Sequence, residues 1–201
     1  MKNRFLFPED ATPLDDCSGL IPTWVYTLKE LNRIEFENIL EAKKRYFQKP
    51  IPHPEKWFSV NELKKIHKAM FGSVWAWGGE FRKSVTSIGV KPGLIPFYLI
   101  EFCYEVKSWL KEQGDLSIVE MAARVHHRLV FIHPFENGNG RFSRFVSDRF
   151  LLSLGGSSTM WPTQLIQSSE MRKNYIQTLK EADKGDYSEL IEYMQKHGAK
   201  S

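Results

Sequence analysis

The chain is short of the features that mark extracellular, membrane and zinc-bound proteins. It has two cysteines in 201 residues, Cys17 and Cys103, too few and too far apart for a disulfide framework or a cysteine-based zinc site. That scarcity fits a reducing, cytoplasmic setting. No stretch approaches the roughly 20 apolar residues of a membrane span. The opening MKNRFLFPEDATP offers only Phe5-Leu6-Phe7 as an apolar run, well short of a signal core. Charge of one sign is nowhere concentrated: 28 basic and 24 acidic residues leave a net +4 spread along the chain. That balance permits an anionic ligand and gives no reason to expect DNA or a membrane as partner. Internal repeats and low-complexity tracts are missing. So is G-x-x-x-x-G-K-S/T, which excludes a P-loop ATPase.

What is present suffices for one compact core, since 42% of the residues are hydrophobic and 13% aromatic. Residues 1–26, rich in Pro, Asp and turn signals, read as an irregular arm, and residues 27–201 as a single domain. Thr27 and Glu30 form a capping box ahead of LKELNRIEFENILEAKKRYF, where Leu31, Ile34, Ile39 and Leu40 recur at helical spacing. KPIPHP at 49–54 breaks that helix, and Ser59 with Glu62 opens the next, along Leu63, Ile66 and Met70. The Gly-rich segment 72–93 reads as extended, with a hairpin over 84–93. Helices are expected near 95–112 and 118–132, then from the next loop to about Leu154, and finally at 169–183 and 187–197, the last capped by Asp186 with Glu189. The fold class is therefore mostly α with one short β element.

The chemistry gathers in HPFENGNGRFSR, residues 133–144. Gly138, Asn139 and Gly140 can adopt positive φ and let another molecule approach the main chain, so consecutive amides form an anion-binding nest. A helix beginning there adds its N-terminal dipole. Arg141 and Arg144 carry permanent charge on forks that match phosphate oxygens. His133 is the group in the stretch that gains or loses a proton near neutral pH. The local reading is a phosphate site with a base at its edge.

His133-Pro134-Phe135, Gly138-Asn139-Gly140-Arg141 and Arg144, in that order, resemble the Fic signature HPFx(D/E)GNGRxxR. The arm, the helix LNRIEFENILEA, the WAWGGEFRKSV…IGV segment and the tail YIQTLKEADKGDYSEL further resemble the bacterial mobile mystery protein B branch. The resemblance implies a Fic fold, helical with a hairpin flap above the signature loop, and transfer of AMP from ATP to a Ser, Thr or Tyr hydroxyl of a target protein. It makes His133 the general base, Gly138, Asn139 and Gly140 the phosphate cradle, and Arg141 and Arg144 the clamps on the β- and γ-phosphates. Ile88 and Val90 of the flap would pin the target's backbone, and Tyr175 would line the adenosine pocket unless it is a buried structural tyrosine. Asn137 stands where most active members use Asp or Glu to hold Mg²⁺; an amide oxygen can ligate the ion, though without charge.

Many relatives carry an inhibitory glutamate in (S/T)xxxE(G/N), paired with the second signature arginine. The candidates are Glu37, with Glu35 nearby, and alternatively Glu192. The resemblance also implies a small helix-turn-helix, antitoxin-like partner. Two other readings stay open: a nucleotide-binding regulator with little turnover, and a transferase of another phosphate-linked group. His126 and His127 read as core or supporting histidines rather than a zinc set.

Overall fold

The computed structural model describes residues 17–48, 50–111, 116–162 and 170–201. Of the arm, residues 1–16 lie outside that set. Among the described residues, regular structure is helical. Helix α1, Leu28–Tyr46, starts where Thr27 Oγ1 accepts from the Glu30 amide at 3.2 Å and Glu30 Oε2 accepts from the Thr27 amide at 3.1 Å. A single turn, α2 (Pro54–Trp57), uses Pro54 at its first position, where the missing N–H costs nothing. Ser59 caps α3 (Val60–Phe71), and Ser117 caps α5 (Ile118–Ile132) in the same way; between them runs α4 (Ile95–Lys111). Then come α6 (Asn139–Ser153), α7 (Glu170–Ala182) and α8 (Ser188–Lys196). The expected box at the start of α8 does not form: Asp186 Oδ1 accepts from Ser188 N at 2.9 Å, and the helix begins one residue later without a side-chain cap.

The α5–α6 pair is the centre of the molecule. Ala122, Ala123, Ser143 and Ser147 are all fully buried, and such small side chains let two helix backbones approach. Ser147 Oγ donates to the Ala122 carbonyl at 2.9 Å, so even the polar atoms of that seam are satisfied. Phe58, Phe71, Phe102, Phe135, Phe142, Phe145 and Phe150 are completely buried around it. α3 packs on α6 with α1 against it, α4 and α8 pack on α5, and α7 packs on α8. No helix among the described residues is long and apolar enough to cross a membrane.

The hairpin expected over 84–93 is replaced by an irregular loop that leads into a 3-10 turn, Pro92–Leu94. Among the described residues the β contacts are three isolated bridges, Leu20–Trp75, Phe81–Phe135 and Ser157–Lys200. The physical reason lies in one side chain. Arg82 donates to the carbonyls of Ser84 and Val90, so acceptors that a ladder would use are taken by a guanidinium. The Val90 amide turns instead to Ile132 O at 3.4 Å. The end of the arm does what an edge strand would: Ile21 N donates to Val74 O and Ala76 N to Gly19 O, strapping residues 19–21 onto the turn after α3.

Candidate active site

The loop between α5 and α6 is built from both sides. α5 ends at His133, which takes φ 50°, ψ 60°; among the described residues no other non-glycine has positive φ. A left-handed residue with a side chain costs roughly 1–2 kcal/mol, so the surroundings must hold it. They do so at two carbonyls: Arg82 Nε donates to His133 O at 2.6 Å, and the Arg82 amide donates to Pro134 O at 3.0 Å. Asn139 closes the loop from the other side. Its Oδ1 accepts from Phe135 N at 3.0 Å and its Nδ2 donates to Phe135 O at 2.7 Å. Gly138, at φ 77°, is the N-cap of α6, and a Cβ there would lie 2.6 Å from the Phe71 ring. Glycine is therefore required twice over, by conformation and by space.

The first intrahelical bond of α6 runs from Phe142 N to Gly138 O at 2.9 Å, so the amides of Asn139, Gly140 and Arg141 precede the ladder and face outward with the dipole. Arg141 and Arg144 flank the same helix end. They line a pocket of about 160 Å³ with Lys43, Asp148, Trp161 and the apolar side chains Phe36, Ile39 and Phe145. Three cations around so small a space suit a phosphate tail. The space is well below the roughly 300 Å³ or more of a site that encloses a whole small molecule. Part of the wall is α1, through Phe36 and Ile39.

Each arginine is held. Glu35 of α1 pairs with Arg141, Oε2 to Nη1 at 2.6 Å, while its Oε1 accepts from Trp75 Nε1 at 2.7 Å. The carboxylate is 4% exposed and the guanidinium 27%, so this pair is screened far less than a surface one. The guanidinium also sits over the Phe71 ring, 4.8 Å from its centroid. Arg144 faces the Tyr175 hydroxyl, whose other neighbour is His126 Nε2 at 2.6 Å. Tyr175 is buried, and burial pushes its hydroxyl up to about 12 against the opposing pull of the Arg144 charge and hydrogen bond. Its ring is walled in by Trp161, Tyr193 and His126, so it backs Arg144 rather than offering a free face to a base.

Of the inhibitory candidates, Glu35 reaches a signature arginine, and it is the first one, where the family pattern names the second. Glu37 is exposed on α1 beside Pro22, Trp24 and Asn38, and Glu192 is exposed on α8. Ile88 is exposed on the loop; Val90 is half-buried against the core. Asn137 is committed to its neighbours: its Oδ1 accepts from Gly138 N at 2.6 Å and its carbonyl meets His67 Nε2 at 3.1 Å. Glu136, next to it, accepts from Ser84 Oγ at 2.7 Å. Among the described residues no group of three His, Cys, Asp or Glu could hold a metal ion.

Protonation follows from burial. Burial, the largest influence, lowers the His133 imidazole; the Val130 main chain opposes that, and the Arg82 charge adds to it. His133 is therefore neutral at physiological pH and able to accept a proton. His126 is pushed down to about 3, first by burial and then by Arg144. Burial also pushes Asp148 up to about 7, although its Oδ1 accepts from Thr159 N and Trp161 Nε1, each at 3.0 Å.

Two supporting residues carried no signal that sequence reasoning used. His67, on the apolar face of α3, accepts at Nδ1 from Gly79 N at 2.9 Å, so its proton is on Nε2, directed to the Asn137 carbonyl. It stacks on Phe135 at 3.6 Å, and burial pushes it down to about 3, keeping it neutral. Arg82, in the sequence, is only one of two adjacent basic residues after Trp75, Trp77 and Phe81. A buried Glu35 at a core position of α1 was the one legible hint, since an unpaired buried carboxylate is rare.

The Fic/DOC family model matches residues 57–151. A protein adenylyltransferase Fic from Aedes aegypti is 31% identical over 160 residues, covering 77% of this chain and 30% of its own length. Protein adenylyltransferase fic-1 from Caenorhabditis elegans is 27% identical over 146 residues, covering 71% and 28%. The chain thus spans less than a third of these relatives. Among solved structures, a Fic-1 fragment from C. elegans superposes with a TM-score of 0.66 at 21% identity, covering 90% of this chain and 52% of that one. The N-terminal Fic domain of a VirB-translocated Bep effector from Bartonella quintana, with bound ADP, gives a TM-score of 0.66 at 17% identity and covers 95% and 92%. The fold is the Fic fold.

Proposed function

From the premise that this chain carries a Fic/DOC domain, we propose that it is a protein adenylyltransferase, moving AMP from ATP to a hydroxyl of a target protein. The observation that carries the reading is the meeting of a neutral imidazole, a helix N-terminus and two arginines at one loop. The target oxygen attacks the α-phosphorus, the bond to the bridging oxygen of the β-phosphate breaks, and pyrophosphate leaves. His133 accepts the hydroxyl proton. The amides of Asn139, Gly140 and Arg141, ahead of the α6 ladder, meet the phosphate oxygens as negative charge grows, with no reorganisation at the moment of reaction. Arg141 and Arg144 bind the β- and γ-phosphates, and the loop carrying Ile88 and Val90 receives the target's main chain. Nucleotide in a relative of this fold, ADP in the Bep effector domain, is consistent with ATP as donor.

Mg²⁺ does not fit the residues present as a protein-held ion. The Asn137 amide oxygen is used within the loop and its carbonyl by His67 of α3, and Glu136 is turned to Ser84. No step here runs through it. Glu35 acts as the brake: while it holds Arg141, and α1 walls the pocket, the phosphate tail has no free first arginine. That contact also favours a second reading, a nucleotide-binding regulator with little turnover. The arm and tail segments support the mobile mystery protein B affiliation, and with it a helix-turn-helix partner.

The test is labelling of proteins in a bacterial lysate by ATP marked at the α- or the γ-phosphate, with the protein and with His133→Ala. Label from α alone, dependent on His133, is the expected result. Label from γ alone would replace AMP transfer by phosphate transfer. No label, with ATP still bound, would leave the regulator.

A further inference from the structure

We propose that Arg82 is a positioning residue that joins His133 to the target-receiving loop as one rigid unit. What the unit does rests on the transferase reading; the unit itself rests on geometry. Arg82 is 3% exposed as a residue, and its side chain donates to three main-chain carbonyls. Nε reaches His133 O at 2.6 Å, Nη1 reaches Ser84 O at 2.8 Å, and Nη2 reaches Val90 O. Ser84 and Val90 are the two feet of the loop, and Ile88 lies between them. One planar group thus registers both feet of the loop against the carbonyl of the residue whose ring is the base.

The carboxylate that acts on this cation, Glu136, is not in contact with it. Among the described residues Arg82 makes no ion pair within 4.0 Å, since Glu136 is turned to Ser84. Burying a guanidinium with no carboxylate is costly. Its reason for being there is the rigid fork, which a lysine's single ammonium cannot copy. The contact surface agrees. Gly89, at φ 104°, lies so close over the ring-bearing carbon of His133 that a Cβ would come within 2.5 Å of it. The loop therefore rests on the base itself, and a slip of either foot would move the space where a hydroxyl must sit.

The groups around His133 are few and known. Arg82 comes from the segment before the loop, the loop adds Gly89 and Val90, α5 adds the Val130 main chain, and Glu136 acts on Arg82. Of these, Arg82 is the charge that bears on the imidazole. Lysine and glutamine at position 82 therefore separate charge from geometry.

The experiment uses the full chain and the variants Arg82→Lys and Arg82→Gln, each checked for ATP affinity and thermal unfolding. Three quantities are read: amide exchange at positions 82 and 90, the His133 imidazole titration by ¹³C-histidine NMR, and α-label transfer to lysate protein. Both variants should bind ATP within about twofold of wild type and lose exchange protection at 82 and 90 together. Both should fall in protein labelling on the order of a hundredfold, the cost of a misplaced reacting group. Glutamine should raise the His133 titration midpoint, whereas lysine should leave it near wild type. Labelling restored by lysine would overturn the proposal, because charge alone would then suffice. So would exchange that rises at only one of positions 82 and 90 while the other and the His133 titration stay as in wild type. Exchange and titration need no turnover. If wild type labels nothing, the transferase reading fails while these two still decide whether the unit exists.

Discussion

Replacing Glu35 by glutamine separates a brake from a buttress. Glutamine keeps the shape and an acceptor for Trp75 Nε1, removes the charge, and turns an NH2 donor toward Arg141 in place of an acceptor. A hydrogen bond to a charged group is worth about 1.5–3 kcal/mol and a neutral one about 0.5–1.5 kcal/mol. Glu35 accepts two such bonds, one from Trp75 Nε1 and one from Arg141 Nη1. The Arg141 side is 27% exposed, so solvent recovers part of its loss. The expected fall in stability is about 1–2 kcal/mol, read as a shift of the urea midpoint at constant slope. If phosphate must take Arg141 from Glu35, the Arg141 share of that interaction works against ATP. Its removal should then tighten ATP by about five- to tenfold, at about 1.4 kcal/mol per decade. Calorimetric titration with ATP on both proteins reads this directly. Stability lower by the stated amount with unchanged or weaker ATP binding would refute the argument, and the pair would be structural alone.

Three further predictions come from the buried polar groups. Between pH 6.5 and 4 an unfolded chain takes up protons at His67 and His126 that the folded chain, with both near 3, refuses. Folded Asp148, near 7, keeps a proton that the unfolded carboxyl sheds above 3.8, the opposite sign. His127 and His133, also lowered by burial, add to the histidine side, so stability falls by at least about 1.4 kcal/mol per pH unit on acidification, and Asp148→Asn should steepen that slope by about 1.4 kcal/mol per pH unit more. Urea melts across this range check it, and equal slopes would show Asp148 to be ionised when folded. Tyr175→Phe strips an acceptor from Arg144 and leaves His126 Nε2 unpartnered, so it should cost about 1–3 kcal/mol of stability and weaken ATP several-fold. A stability loss with ATP affinity intact would make the hydroxyl a core bond only. Asn139→Ala breaks both bonds to Phe135 and should cost about 2–4 kcal/mol and abolish labelling, whereas Asn139→Asp, which keeps the acceptor, should lose less.

The loop was legible because its parts are consecutive: glycines, a histidine and two arginines within a dozen residues state a phosphate site without any fold. The helices were legible for a related reason, since a cap such as Thr27 with Glu30 is complete within four positions. What joins distant segments was not. Glu35 and Arg141 are 106 positions apart, and spacing pointed as readily to Glu37, which faces solvent. His67 was hidden on an apolar helix face, where its bonds to Gly79 and Asn137 leave no trace in periodicity. The 84–93 loop was misjudged because β-branched residues near a Pro-Gly turn resemble a hairpin. A side chain that takes the ladder's carbonyls cannot be inferred from the residues it displaces.

His133 keeps its ring in a backbone conformation that a glycine would adopt freely. Every reshuffling of this chain for endurance alone would therefore discard the histidine early. A library screened for heat resistance, with activity unmonitored, should drift to glycine or asparagine at position 133. A His133→Gly control for the labelling assay would differ from wild type in robustness as well as in lacking the imidazole. The alanine version, which inherits the same twisted main chain, is the better-matched comparison.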